Sequence, residues 1–397
     1  MSNVVLTWRK KLVWGAIETV YGTDPVPGAA ADGIEVRNMT LTSLKLKKVD
    51  QGIVQPYLGA TRELVVGQEM QLKFDVAIAG SGTAGVAPAY GKLMRACKHS
   101  ETALAAAVTG TAQAGSVNSI TLAAAASAVD NAYRNMEIIA TGGAGSGQSA
   151  IIKSYNGTTK VATFYEAVAT AFDVTTLYSI GAQVVYAPVD SGDDSIAFYA
   201  YIDRLKFVLL GCRGNVVRTL DPLKVPVFTF TFTGLWGGYS DQTAMPSGTV
   251  YTAWKTPLAV SAVNTTGFKL HGFATNLYNY SVDSGNQVVH RDDVVGIEDV
   301  QITDHIGVGS VTIQKPLKAE HDFYADALGT GNGSGPIEGS MTVSHGTVAG
   351  DIVRFYEPAV TVGEPTDTDK NGVVAITMAL RILPVDPGGN DSIIIVK

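Results

Sequence analysis

One pattern occurs twice in this chain, and it limits the possible folds more than any other feature. The first copy opens with Asp203-Arg-Leu-Lys-Phe-Val-Leu-Leu and closes with Val227-Phe-Thr-Phe-Thr-Phe-Thr-Gly-Leu235. The second opens with Asp351-Ile-Val-Arg-Phe-Tyr-Glu-Pro and closes with Ala375-Ile-Thr-Met-Ala-Leu-Arg-Ile-Leu383. A shift of about 148 positions places Asp203 on Asp351, Phe207 on Phe355, and Phe228, Phe230 and Phe232 on Ile376, Met378 and Leu380. Both closing stretches alternate large apolar residues with small or polar ones, which is the period of a strand with one face in a core. Recurrence of a whole pattern at one spacing marks a duplicated structural unit.

Matches further upstream extend the repeat. Ala89-Tyr-Gly-Lys-Leu-Met-Arg-Ala-Cys97 parallels Ala319-Glu-His-Asp-Phe-Tyr-Ala-Asp-Ala327 at a shift of about 230, and the spacing suggests a short helix in each half. Asn38-Met-Thr-Leu-Thr parallels Asn276-Leu-Tyr-Asn-Tyr at about 238. The fall from about 230 to about 148 requires some 82 additional residues between helix and closing strands in the first half. Composition agrees: from Ala105 to Ala187 the chain turns rich in Ala, Gly, Ser and Thr, with Gly142–Gln148 and Asn156-Gly157 as turn signals. The expected class is all-β, or β-rich α+β, with two tandem domains of packed antiparallel sheets, each carrying one short flanking helix. The first domain spans 1–105 and 188–247, an inserted small β domain spans 106–187, and the second domain spans 248–397. Trp236–Val263, rich in Gly, Pro, Ser and Thr, is expected to link the halves.

Charged residues make up only 16% of the chain against 46% apolar, as suits strands covered by neighbours. The net charge of −7 and a longest basic cluster of Arg9–Lys10–Lys11 argue against a surface that grips nucleic acid. Cys97 and Cys212 fit no disulfide framework or metal pattern and are expected to be small buried hydrophobes. Met1–Gly15 has no signal-peptide character, and no apolar run reaches the roughly 18 residues of a membrane span. Synthesis and assembly in the cytoplasm are therefore expected.

Several motifs suggest chemistry that their surroundings do not support. Gly80-Ser-Gly-Thr-Ala-Gly85 has dinucleotide-loop spacing, but Pro88 intervenes and no acid-tipped parallel strand follows, so a plain loop is expected. Asp367-Thr-Asp-Lys-Asn-Gly372 begins like a calcium loop, yet its twelfth position is Met378, so a tight hairpin is expected. Gly142–Gln148 lacks the Lys-Ser/Thr of a phosphate loop and reads as a turn. His99, His271, His290, His305, His321 and His345 show no ligand spacing, and His290-Arg-Asp-Asp293 reads as a surface or subunit contact. No catalytic constellation, cofactor or metal is expected.

The residues do resemble one family. Ser281-Val-Asp-Ser-Gly-Asn-Gln-Val-Val-His-Arg-Asp-Asp293, Gln301-Ile-Thr-Asp-His305 and Ser344-His-Gly-Thr-Val-Ala-Gly350 are similar to tail tube proteins of siphophages. So are Thr19-Val-Tyr-Gly-Thr-Asp-Pro25, Ile34-Glu-Val-Arg-Asn38, Val54-Gln-Pro-Tyr-Leu-Gly59 and Phe230-Thr-Phe-Thr-Gly-Leu235 in the first half. The resemblance covers both repeats, and the inserted segment resembles a small β module of phage structural proteins. It implies a non-enzymatic virion protein, the major tail tube subunit of a long non-contractile tail, assembled in the bacterial host cytoplasm. It also implies two near-orthogonal sheets per unit that join edge to edge around a lumen, with six tube units per ring. Two units per chain then give a homotrimeric, pseudo-sixfold ring.

The implied partners are further copies of the chain, tail terminator and distal tail proteins, and the tape measure protein and DNA within the lumen, bound without sequence specificity. Host surface glycans are an expectation for the inserted domain, which would project outward to keep the channel open. Two long segments, Lys45–Gly67 and Asp283–Gly307, are expected to be loops that reach the adjacent ring through Gln51, Val54, Tyr57 and Leu58, and through Val288, Val289, His290, Arg291, Asp292, Asp293 and Val294. Thr229, Thr231, Thr233 and Thr377 are expected to face the lumen, opposite the apolar residues of the closing strands. A receptor-binding or fibre protein with an adhesion module is the alternative, and two near-equal repeats with matched helices disfavour it.

Overall fold

The structure is a computed structural model that describes residues 5–192, 194–293, 296, 298–329, 335–386 and 390–397. It is β-rich, with antiparallel sheets and, among the described residues, two short helices. The first half contributes β1 (Lys11–Ile17), β2 (Gly33–Ile34), β3 (Arg37–Asp50), β4 (Glu63–Ala77), α1 (Gly91–Arg95) and β5 (His99–Leu104). Seven short strands, β6 to β12, then run between Val108 and Ile180. The half ends with β13 (Gln183–Pro188), β14 (Ile196–Ile202), β15 (Leu205–Leu220) and β16 (Val227–Asp241). The second half opens with β17 (Thr265–Leu270), β18 (Phe273–Ala274), β19 (Leu277–Asp283), β20 (Asn286–Asp292), β21 (Glu298–His305) and β22 (Val308–Gln314). It continues with α2 (Phe323–Leu328), β23 (Glu338–His345), β24 (Val353–Val362), β25 (Thr366–Lys370), β26 (Val373–Ile382) and β27 (Ile393–Val396).

Strand pairing repeats along with the sequence. In the first half β2 pairs with β1, β1 with β14, β14 with β15, β15 with β16, β16 with β4 and β4 with β3. In the second the same order is β18, β17, β23, β24, β26, β22, β19. Where β15 runs unbroken, its counterpart is interrupted at 363–365 and resumes as β25, which pairs with β26. Alternation in the closing strands decides what is buried: Phe228, Phe230, Phe232, Ile376, Met378 and Leu380 all lie in the core. Phe230 stands opposite Phe74, as Met378 stands opposite Val311. Each such side chain contributes about 1.5–3 kcal/mol by leaving water.

The halves are joined edge to edge. Val217 to Leu220 of β15 pair with Asp283 to Tyr280 of β19, so eight strands form one continuous run: β3, β4, β16, β15, β19, β22, β26, β25. A second joint is made by β27, which lies between β13 and β24. One hydrophobic core passes through both halves, with Phe228 edge-on to Phe355 at 6.1 Å.

The strands β6 to β12 form their own seven-stranded sheet. Its core, built on residues such as Ile120, Ile152 and Tyr178, also takes in Val185, Tyr356, Ile393 and Ile395 from the main body. Glu137 of this sheet is ion-paired with Arg354 and Lys397. The inserted segment is therefore docked against the second half through a shared core.

Several boundaries differ from the sequence reading. Trp236–Asp241 is not linker but the end of β16. Its glycines have a packing reason: a Cβ on Gly237 would meet Val208 at 2.7 Å, and Gly238 has φ +93° beside a register shift against β15. The final strand of the inserted segment, β13, leaves the small sheet and joins the large one. Both helices are shorter than their sequence patterns. Lys98 at φ +64° ends the turn that follows α1, and Gly329 at φ +68° ends α2. No helix among the described residues is long and apolar enough to cross a membrane.

Candidate assembly surfaces

In a run of antiparallel strands, the two outermost strands keep a row of unpaired backbone groups. Here those strands are β3, which pairs only with β4, and β25, which pairs only with β26 among the described residues. The repeat relates them. β25 is the counterpart of the end of β15 that receives β19, and β3 is the counterpart of β19. Within the chain Thr219 stands opposite Ser281. Followed through the strand registers rather than the sequence shift, Thr219 (opposite Val227) corresponds to Thr368 (opposite Ala375). Ser281 (through Ser310 to Ala379) corresponds in the same way to Thr40 (through Lys73 to Thr231). The molecule thus carries, at opposite ends of one sheet, the two halves of a joint that it already makes internally.

The two long segments expected as loops are β-hairpin arms. In the first arm, β3 and β4 extend beyond the sheet to a tip at 51–62. Leu44, Leu46, Val49, Ile53, Tyr57, Val65 and Val66 are exposed along it, and Val54 and Leu58 stand 96% and 103% exposed at its tip. Gln51 closes the tip through its N–H to the Arg62 carbonyl at 3.3 Å. A lone two-stranded ribbon cannot bury these apolar side chains, so in the single chain they stand in water.

The second arm, β20 and β21, lies on the first half of the same chain. The Val300 N–H donates to Tyr21 Oη at 2.6 Å, Lys98 Nζ donates to the Ile302 carbonyl at 3.1 Å, and Asn286 Nδ2 donates to the Gly214 carbonyl at 3.0 Å. Arg213 donates to the Val300 carbonyl. Val288 is half-buried and Val289 exposed. The His290 side chain is buried between Asp292 and Glu298, at 3.3 and 3.2 Å, and lies 3.0 Å from Lys47 of the first arm. Lys47 is also ion-paired with Asp292. Arg291 forms a bidentate pair with Asp299 at 2.7 Å, and Asp293 is exposed. Val294 lies outside the described residues.

Thr229, Thr231, Thr233 and Thr377 are half-buried and share the sheet face opposite the core. Thr229 donates to Asp75 at 2.7 Å, and Thr377 shares a hydrogen bond with Thr312 at 2.9 Å. Gln71, Lys73, Asn215, Ser281 and Ser310 alternate onto the same face. Polar side chains thus line this face across β4, β16, β15, β19, β22 and β26, with Lys73 and Arg213 among them, and the second arm crosses one end of the face at Arg213, Lys47 and Gly67.

The joint between halves is anchored by a buried cation. Arg218 of β15 is ion-paired with Glu357 of β24 and donates to Tyr280 Oη at 2.7 Å and Ser392 Oγ at 2.8 Å. Burial pushes the Glu357 carboxyl up to about 7, against the opposing pull of Arg218. Nearby, burial lowers His99 to about 4. Asp391 accepts from His305 Nε2 at 2.9 Å, and this bond raises the His305 pKa.

The chemistry-like motifs resolve into turns. Gly80–Gly85 packs against the second half, where a Cβ on Gly80 would sit 1.9 Å from the Gly350 carbonyl oxygen. Asp367–Gly372 is a tight hairpin in which Asp369 accepts from the Gly372 N–H at 2.6 Å. Gly142–Gln148 turns the chain between two strands of the small sheet, with the Ala140 N–H donating to the Gln148 carbonyl at 2.9 Å. Cys97 and Cys212 are free and buried. The fold brings together His271, His321 and Asp326, which their spacing did not suggest, and adds Glu298 to the His290–Asp292 cluster named from the sequence. No protein-family model matches this chain, and no curated protein matches it in sequence.

Proposed function

We propose that this chain is a structural, non-enzymatic subunit: the major tail tube protein of a long, non-contractile phage tail. The observation that carries the reading is the sheet with two complementary free edges, β3 and β25, whose joint the chain already makes between β15 and β19. Repeating that joint between copies lengthens the sheet by one chain at a time. A sheet that closes on itself has no edge left to aggregate. With two units per chain and the six-unit ring implied by the family resemblance, three chains close the ring. The repeat relation also seats the base of the first arm on the second half of the neighbouring copy, as the second arm sits on the first half within the chain. The apolar tip from Gln51 to Ala60 then continues to the adjacent ring and stacks rings into a tube.

With the core on the outer side of that sheet, the threonine face lines the lumen. Its many hydroxyls and the net charge of −7 keep phosphate from being gripped over most of the face, so DNA passes without being held. The tape measure protein would occupy the same lumen before ejection, with terminator and distal tail proteins capping the ends. The inserted sheet, docked on the second half, is left for outward contacts, with surface glycans as its proposed ligand class. Negative-stain microscopy of the purified full chain tests the reading: three-lobed rings or stacked tubes are expected. Slender fibres, or a monomer at every concentration, would reject it.

A further inference from the structure

We propose that His271, His321 and Asp326 form a site for one divalent transition-metal ion, with zinc as the best fit. His271 is the first residue of the two-residue turn between β17 and β18, held at φ +51°. Its ring is almost fully enclosed, with the side chain 4% exposed. Nε2 lies 2.9 Å from the Val360 carbonyl, and Nδ1 lies 2.9 Å from Asp326 Oδ2. A peptide carbonyl only accepts, so Nε2 carries the ring hydrogen. The neutral ring then turns the Nδ1 lone pair toward a carboxylate oxygen, so either a proton or a metal ion must lie between them.

A third donor converges on the same oxygen: His321 Nε2 is 2.7 Å from Asp326 Oδ2. Two imidazole nitrogens and one carboxylate oxygen are a common ligand set for zinc, with the fourth tetrahedral position left to water. The Val360 carbonyl holding the far nitrogen of His271 is the outer-shell arrangement that fixes the tautomer of a metal-binding histidine. Around zinc, ligand atoms sit roughly 3.3 Å apart, so binding opens these contacts by a few tenths of an ångström. Phe273, stacked on His321 with ring centroids 5.3 Å apart, and Phe323, at 4.4 Å, wall the site. The ion would tie α2, only six residues long, to the β17–β18 turn, which supplies the stability that so short a helix lacks by itself.

The competing arrangement is metal-free, with His271 doubly protonated against Asp326. Untagged full chain, loaded with zinc and dialysed, should retain about one equivalent by elemental analysis, and cobalt loading should give the visible absorption of a tetrahedral nitrogen–oxygen site. His321→Ala, at a partly exposed ring, should fold normally by circular dichroism and lose the retained zinc on dialysis. Asp326→Asn should also lose the cobalt spectrum. Retention no greater than in His321→Ala, or an unchanged cobalt spectrum in that variant, overturns the proposal in favour of the protonated pair. The measurement is made on unassembled protein, so its outcome is separate from whether rings form.

Discussion

At the scale of single residues, alternation was readable and long-range polar pairing was not. Phe228, Phe230 and Phe232 declared their buried face through a period of two, because a strand has no other way to alternate. Arg218 gave no such sign: its partners Tyr280, Glu357 and Ser392 are 62, 139 and 174 positions away. Yet it stands where the halves meet, and it is the cation that neutralises a fully buried carboxylate. Removing one partner of such a pair strands the other in a dry interior, whereas removing both leaves a packing problem only. Arg218→Met should therefore lower the unfolding free energy by about 3–5 kcal/mol, and Arg218→Met with Glu357→Leu should recover most of that loss. Urea denaturation of both variants checks it. A double variant as unstable as the single one would mean that Arg218 acts through the Tyr280 and Ser392 bonds instead. The two histidines around Asp326 were hidden for the same reason, since His271 and His321 come together only through the β17–β18 turn and the approach to α2.

At the scale of elements, strands were legible and their lengths were not. The segments between the first and second long strands of each half looked like loops because mixed charge and scattered apolar residues mask a period of two. In the structure they are ribbons: β3 and β4 pair from Thr40–Lys73 out to Asp50–Glu63, with register shifts along the way. Those shifts move side chains from one face to the other, which is what destroyed the sequence signal. The outcome gives the two arms different duties, one spent on the chain's own first half and one unspent. Deleting Gln51–Ala60 removes residues that touch little else, so stability should change by no more than about 0.5 kcal/mol. Under the proposed assembly, ring formation should survive while stacking fails, so microscopy should show single rings in place of the tubes expected of the parent protein. Normal tubes from the deletion variant would place the inter-ring contact elsewhere.

At the scale of the whole molecule, the duplication could be read from spacing, but the way the copies join could not. Nothing in the sequence marks Val217–Leu220 as an edge that accepts β19, because edge pairing is written in backbone groups that every residue carries. Once that joint is seen, it makes a residue-level statement about contacts between chains. Thr219 opposite Ser281 maps to Thr368 of one copy opposite Thr40 of the next, and both threonines are exposed in the single chain. Directly opposed positions in an antiparallel pair have Cα atoms about 4.5–5.5 Å apart, within disulfide range. The native thiols Cys97 and Cys212 are buried and will not compete. Under mild oxidation, Thr40→Cys with Thr368→Cys in one chain should yield covalent dimers and trimers, with the series ending at three as the ring closes. Either single-cysteine variant should stay monomeric in denaturing gels. A series that continues past three would replace the closed ring with an open filament, and an absence of cross-links in assembled protein would show that β3 and β25 do not meet.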